Sequence, residues 1–149
     1  YFRRYIDPHL KEWKESVRRK PLLLRGARQV GKSRSIRHLG ESFAYFAEVN
    51  FETRPELRQI FKEVSDVREI VSRLGTLLNI PIVEDKTLLF LDEIQPCPEA
   101  IMVLRFFKED LPALHIIAAR SLLDILPVFW VHSEFTPAEH AHAGRTKIP

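Results

Sequence analysis

Gly26-Ala27-Arg28-Gln29-Val30-Gly31-Lys32-Ser33 follows the apolar run Leu22-Leu23-Leu24. The octapeptide reads G-x-x-x-x-G-K-S, the pattern of a phosphate-binding loop between a buried strand and a helix. The glycines let the backbone curl so that successive N–H groups face phosphate oxygens. Lys32 sets a positive charge beside the β- and γ-phosphates, and the Ser33 hydroxyl is suited to ligate Mg²⁺. The helix that follows turns its partially positive N-terminus toward the same anion. Gly26, Ala27, Arg28, Gln29, Val30, Gly31, Lys32, Ser33 and Arg34 are therefore the candidate phosphate contacts. A short apolar run before a turn suits a buried parallel strand. Ile36 and Leu39 continue at helical spacing, and Gly40 is a helix stop.

About sixty residues on, Thr87-Leu88-Leu89-Phe90-Leu91-Asp92-Glu93 is an apolar strand ending in two carboxylates. It is expected beside the phosphate-loop strand in a parallel sheet. Its C-terminal end then delivers Asp92 to the crevice where open α/β sheets bind ligands. Asp92 is placed to hold Mg²⁺, directly or through water. Glu93 is placed to orient an attacking water or take its proton.

The segments GARQVGKS, LLFLDEIQ and LHIIAARSLL, in this order and spacing, resemble the AAA-type P-loop ATPases. More narrowly, they resemble a prokaryotic "predicted ATPase" family in which an AAA-like domain precedes a C-terminal domain of unknown function. The resemblance runs from about Tyr1 to Asp124. It implies a three-layer α/β fold of the additional-strand type, with a mostly parallel sheet and flanking helices. It implies ATP bound through Gly31, Lys32 and Ser33, Mg²⁺ held by Ser33 and Asp92, and Glu93 as the catalytic carboxylate. It also implies a polar sensor after the strand Leu114–Ala119, which here is Ser121. That serine reads equally as a γ-phosphate contact and as a helix N-cap ahead of Leu122-Leu123-Asp124. Arg120 stands where the family usually has a small glycine, and is expected to be a bulky surface substitution, ahead of the alternative of a phosphate-facing arginine. The likeness ends at Asp124. No fifth strand, arginine finger or second domain is legible beyond it, and Pro127-Val128-Phe129-Trp130-Val131 is a weak strand candidate headed by proline. With no methionine at Tyr1, the expectation is a fragment or truncated member.

The domain plan is an N-terminal amphipathic helix within 1–20, an ATPase core over 21–126 and a divergent, poorly ordered tail over 127–149. Ile6, Leu10, Trp13 and Val17 predict a helix over 7–19, opened by Asp7-Pro8. Tyr1, Phe2 and Tyr5 read first as core or staple aromatics, and second as neighbours of a nucleotide base. Phe43–Phe51 predicts a strand. Thr53-Arg54-Pro55-Glu56 has the form of a capping box. Asp66 opens a helix whose apolar face carries Ile70, Val71, Leu74, Leu77 and Leu78. Pro98 opens a well-buried helix reaching Leu111. The alternation of strands and helices calls for a parallel sheet.

Composition excludes several classes. No apolar stretch approaches ~20 residues, so no helix is expected to span a membrane. No secretory signal pattern opens the chain. The single cysteine, Cys97, excludes an internal disulfide and fits the reducing cytoplasm as a small apolar filler. His132, His140 and His142 lack the spacing of a metal template. Charge is uneven: residues 1–40 carry 12 Lys and Arg against 3 Asp and Glu, while the rest carry 11 against 17. The basic part suits nucleotide phosphates, nucleic acid or an acidic partner.

The leading expectation is an ATP-binding, Mg²⁺-dependent ATPase domain. ATP rather than GTP follows from the resemblance, and the chain has no guanine-specifying N-K-x-D motif. The alternatives are a nucleotide-dependent module that signals to a protein partner or to its own copies without turnover, and a DNA-associated ATPase.

Overall fold

The computed structural model describes residues 1, 3–26, 31–121 and 129–132, the last four by backbone only. Five strands form one sheet in the order β2-β3-β4-β1-β5. They are β1 (Leu22–Gly26), β2 (Tyr45–Asn50), β3 (Thr87–Asp92), β4 (His115–Ser121) and β5 (Phe129–His132). The first four are mutually parallel, and β5 runs antiparallel to β1. Among the described residues six α-helices accompany them: α1 (Asp7–Glu15), α2 (Lys32–Gly40), α3 (Arg58–Glu63), α4 (Val67–Leu78), α5 (Pro98–Met102) and α6 (Leu104–Asp110).

The apolar runs explain the three layers. In a sheet covered on both faces, every strand position is buried, and alternate side chains enter opposite cores. Leu23, Leu89, Leu91, Ile116 and Ala118 enter the core shared with α3 to α6. Leu22, Leu24, Leu88, Phe90, Ile117 and Ala119 enter the core beneath α1 and α2. Every residue of β3 is buried, which a half-solvated strand would not allow. Cys97 packs as an apolar filler in the first of these cores.

Several expectations need correction. β3 does not lie beside β1, because β4 is inserted between them. This is the additional-strand arrangement. An apolar run shows that a strand is buried but not which strand it pairs with. The first helix ends at Glu15, where Ser16 turns extended (ψ 129°) and leaves Val17 95% exposed. The helix expected from Pro98 to Leu111 is broken at Val103, which serves α5 and α6 as a shared boundary. Thr53 makes no capping box. Instead the Asn50 side-chain oxygen accepts from the N–H groups of Glu52 and Thr53. A fifth strand does exist: Phe129–His132 pairs antiparallel with Leu22–Arg25. Tyr1 and Tyr5 are exposed rather than core residues. The expected cap at Asp66 is present, its carboxylate accepting from the Arg68 N–H at 3.1 Å.

His115 heads β4 on the α1 side. Its ring meets the edges of Trp13 and Phe43, and its Nε2 donates to the Lys14 carbonyl at 3.2 Å. The Nδ1 is buried with no hydrogen-bond partner among the described residues. Burial pushes the imidazole pKa down. The unfolded chain then takes up this proton first as pH falls below about 6.5, so folding stability drops with acidification until the folded-state pKa is passed. Above about 6.5 both states are neutral and the effect is absent. Thermal melts at about pH 7.5 and about pH 5.5 should show a smaller acid loss in His115→Phe than in the wild type. An equal loss in both proteins would assign the slope to other groups.

Candidate functional site

The C-terminal ends of β1, β3 and β4 converge, and the chain leaves each of them with chemistry-bearing residues. After β1, Gly31 adopts φ +84° and forms the N-cap of α2. Glycine is favoured there because side chains disfavour that backbone region. Lys32 and Ser33 open α2. The Lys32 side chain is buried, with the residue 5% exposed. Arg34 is exposed in the same turn. Gly26 is buried at the end of β1, opposite Ser121. Ala27, Arg28, Gln29 and Val30 lie outside the described residues.

At the end of β3, Asp92 is buried and accepts from the Ser33 hydroxyl at 3.1 Å. Its other oxygen accepts from the Glu93 N–H at 2.9 Å. Burial pushes the Asp92 pKa up, aided by the nearby charges of Glu93 and Glu48 and opposed by the Ser33 hydroxyl. The Arg37 guanidinium lies 3.9 Å from Asp92 but forms its two short bonds, both 2.8 Å, with Glu48. Those bonds hold the Arg37 pKa up. Arg37 lies one helical turn after Ser33, so an i, i+4 reading of α2 would have brought it to attention.

The folded pKa of Asp92 is raised above its unfolded value, so between the two values the folded state binds more protons and stability falls as pH rises. At neutral pH the ionised carboxylate is therefore a local cost, present in the absence of a cation. Asp92→Asn should raise the nucleotide-free melting temperature, by ~2–4 °C for each kcal/mol relieved. A lower melting temperature for Asp92→Asn would refute the account of its burial.

Glu93 adopts φ +49°, a left-handed backbone uncommon for a residue with a side chain. That strain turns its carboxylate toward β4 and is itself a pointer to a functional position. The Ser121 hydroxyl lies 3.0 Å from both Glu93 oxygens, and it accepts from Lys32 Nζ at 3.3 Å. Ser121 is the last residue of β4, which places it in the crevice. The residues after it that an N-cap would serve lie outside the described ones. Arg120 is not a surface substitution. It is half-buried, faces Arg25 across the β1–β4 pairing, and its positive charge adds to burial in lowering the Arg25 pKa.

Lys32, Ser33, Asp92, Glu93 and Ser121 are thus linked by hydrogen bonds in one place. Tyr1 lies elsewhere, and Phe2 lies outside the described residues. Tyr1 stacks on His38 at 3.7 Å and bonds Asp7 and Ser35. Together they line an open cleft between α1 and α2 that includes none of the five linked residues. Gln95 was missed by reading the sequence, although it lies two residues after Glu93. Among the described residues, no cluster of three or more His, Cys, Asp or Glu is arranged to hold a metal. No helix among the described residues is long and apolar enough to cross a membrane.

No curated protein and no solved structure matches the chain. The model of one family, described as AAA domain, matches residues 18–127, a span that includes β1 to β4 and every linked residue. The chain belongs to the AAA domain family, a family of nucleotide-binding, ATPase-like domains.

Proposed function

We propose that this chain binds Mg-ATP in the crevice at the ends of β1, β3 and β4 and hydrolyses it. The observation that carries this reading is the meeting of two short chains of contacts: Ser33 to Asp92, and Lys32 through Ser121 to Glu93. Backbone N–H groups at the start of α2 face the phosphates, and Lys32 neutralises the β- and γ-phosphate charge. Ser121 is set to sense the γ-phosphate, since its hydroxyl already lies between Lys32 and Glu93.

Ser33 Oγ and Asp92 Oδ2 are the oxygens that fit Mg²⁺. They lie 3.1 Å apart and would hold the cation together. The buried Asp92 carboxylate, which resists ionisation, also gains from a cation beside it. Mg²⁺ bound there would add charge neutralisation on the phosphate oxygens.

In the reaction, the oxygen of a water forms a bond to the γ-phosphorus. The bond from that phosphorus to the β–γ bridging oxygen breaks, and ADP leaves with the electron pair. Glu93 orients the water and takes its proton. ADP and phosphate release should be assayed for the wild type, Lys32→Ala and Glu93→Gln. Equal turnover in all three removes the catalytic assignment. Saturable ATP binding by the wild type with no turnover would favour the nucleotide-dependent interaction module instead.

A further inference from the structure

We infer that Gln95 is the positioning residue of the catalytic carboxylate, tying Glu93 to the end of β4 through a two-sided amide bridge. The inference rests on the hydrolytic role proposed for Glu93. The Gln95 Nε2 donates to Glu93 Oε2 at 2.6 Å, the shortest contact Glu93 makes among the described residues. The Gln95 Oε1 accepts from the Ser121 backbone N–H at 3.2 Å. Only one orientation of the amide satisfies both, because a carboxylate accepts and an N–H donates. The Ser121 hydroxyl closes the ring by meeting Glu93 at 3.0 Å.

A side chain must both donate and accept to do this. Glutamate would accept from Ser121 but repel Glu93, and an aliphatic residue would do neither. Asn50, at the end of the neighbouring strand β2, uses its side-chain oxygen to hold the turn at Glu52 and Thr53. Gln95 also reaches toward Glu52 at 3.5 Å, too long to compete with its bond to Glu93.

The need for such a bridge comes from the Glu93 backbone. A left-handed residue directly after a strand has a side chain aimed by an unusual turn, and a carboxylate on three rotatable bonds can swing away. Anchoring one oxygen fixes the plane of the group and leaves the other Oε1 lone pair for water. Because the anchor is shared with the N–H of Ser121, movement of β4's end and reorientation of Glu93 are coupled.

The test compares the full-length wild type, Gln95→Ala, Gln95→Glu, Glu93→Gln and the Gln95→Ala/Glu93→Gln double variant. Single-turnover hydrolysis and ATP affinity are measured on each. Loss of position should lower the rate constant of Gln95→Ala by about 10–100-fold and leave the ATP Kd within about twofold. The double variant should be no slower than Glu93→Gln alone, since positioning has no effect once the base is gone. Amide hydrogen exchange at Ser121 supplies a readout independent of turnover. It should quicken in Gln95→Ala and stay slow in Gln95→Glu, while both lose rate. Wild-type-like turnover in Gln95→Ala, or losses that multiply in the double variant, would overturn the assignment of Gln95 while leaving the ATPase reading intact. A wild type that binds ATP with no turnover would instead overturn the hydrolytic reading, and the role of Gln95 with it.

Discussion

Lys32→Ala is expected to weaken ATP binding by about 10–100-fold, the loss of a charge-assisted contact of about 1.5–3 kcal/mol. The side chain is buried and reaches Ser121 across the crevice, so its ammonium is already desolvated and held in place. The phosphates therefore meet a cation whose ordering cost has been met during folding. Removing it takes away that charge, so AMP, which has no β- or γ-phosphate, should lose much less than ATP. Lys32→Met, which keeps most of the aliphatic stem, should behave like Lys32→Ala. If it binds ATP as the wild type does, the stem rather than the charge matters and the electrostatic account fails.

Glu93→Gln should give the largest effect on turnover, about 10²–10⁴-fold in rate constant, with ATP affinity close to that of the wild type. The amide keeps the shape of the carboxylate and can still accept from Gln95 or Ser121. What it loses is the capacity to take a proton from water. Binding should survive because the residues assigned to the phosphates and the cation, Lys32, Ser33 and Asp92, are untouched. Isotherms for ATP and single-turnover rates on the same preparation separate the two quantities. A parallel fall in affinity and rate would mean that Glu93 acts on the bound nucleotide rather than on water.

Much of the molecule can be read from one chain because its buried elements are long apolar runs. Leu22–Leu24, Thr87–Leu91 and Leu114–Ala119 announce strands covered on both faces, and each is one. The lysine and serine at the head of α2 and the two carboxylates after β3 are local features, fixed within a few residues of a strand end. What escaped reading was set by distant partners. The order of strands depends on which neighbour β1 selects, and the sheet places β4 there. Val17 fits the apolar stripe of α1, yet the chain leaves the helix one residue after Glu15. The role inferred for Gln95 depends on a loop after β3 meeting the last residue of β4. Spacing along the chain carries no signal for that meeting. Half-buried Arg120 escaped for the same reason, its neighbour Arg25 being ninety-five positions away.

Titration calorimetry of the wild type and Lys32→Ala with ATP, each with Mg²⁺ and with a chelator, tests the central claim most directly. The account predicts saturable wild-type binding that weakens when Mg²⁺ is removed, and binding at least about tenfold weaker in Lys32→Ala under the same conditions. Isotherms that coincide for the two proteins, or a wild type that takes up no ATP, would contradict it.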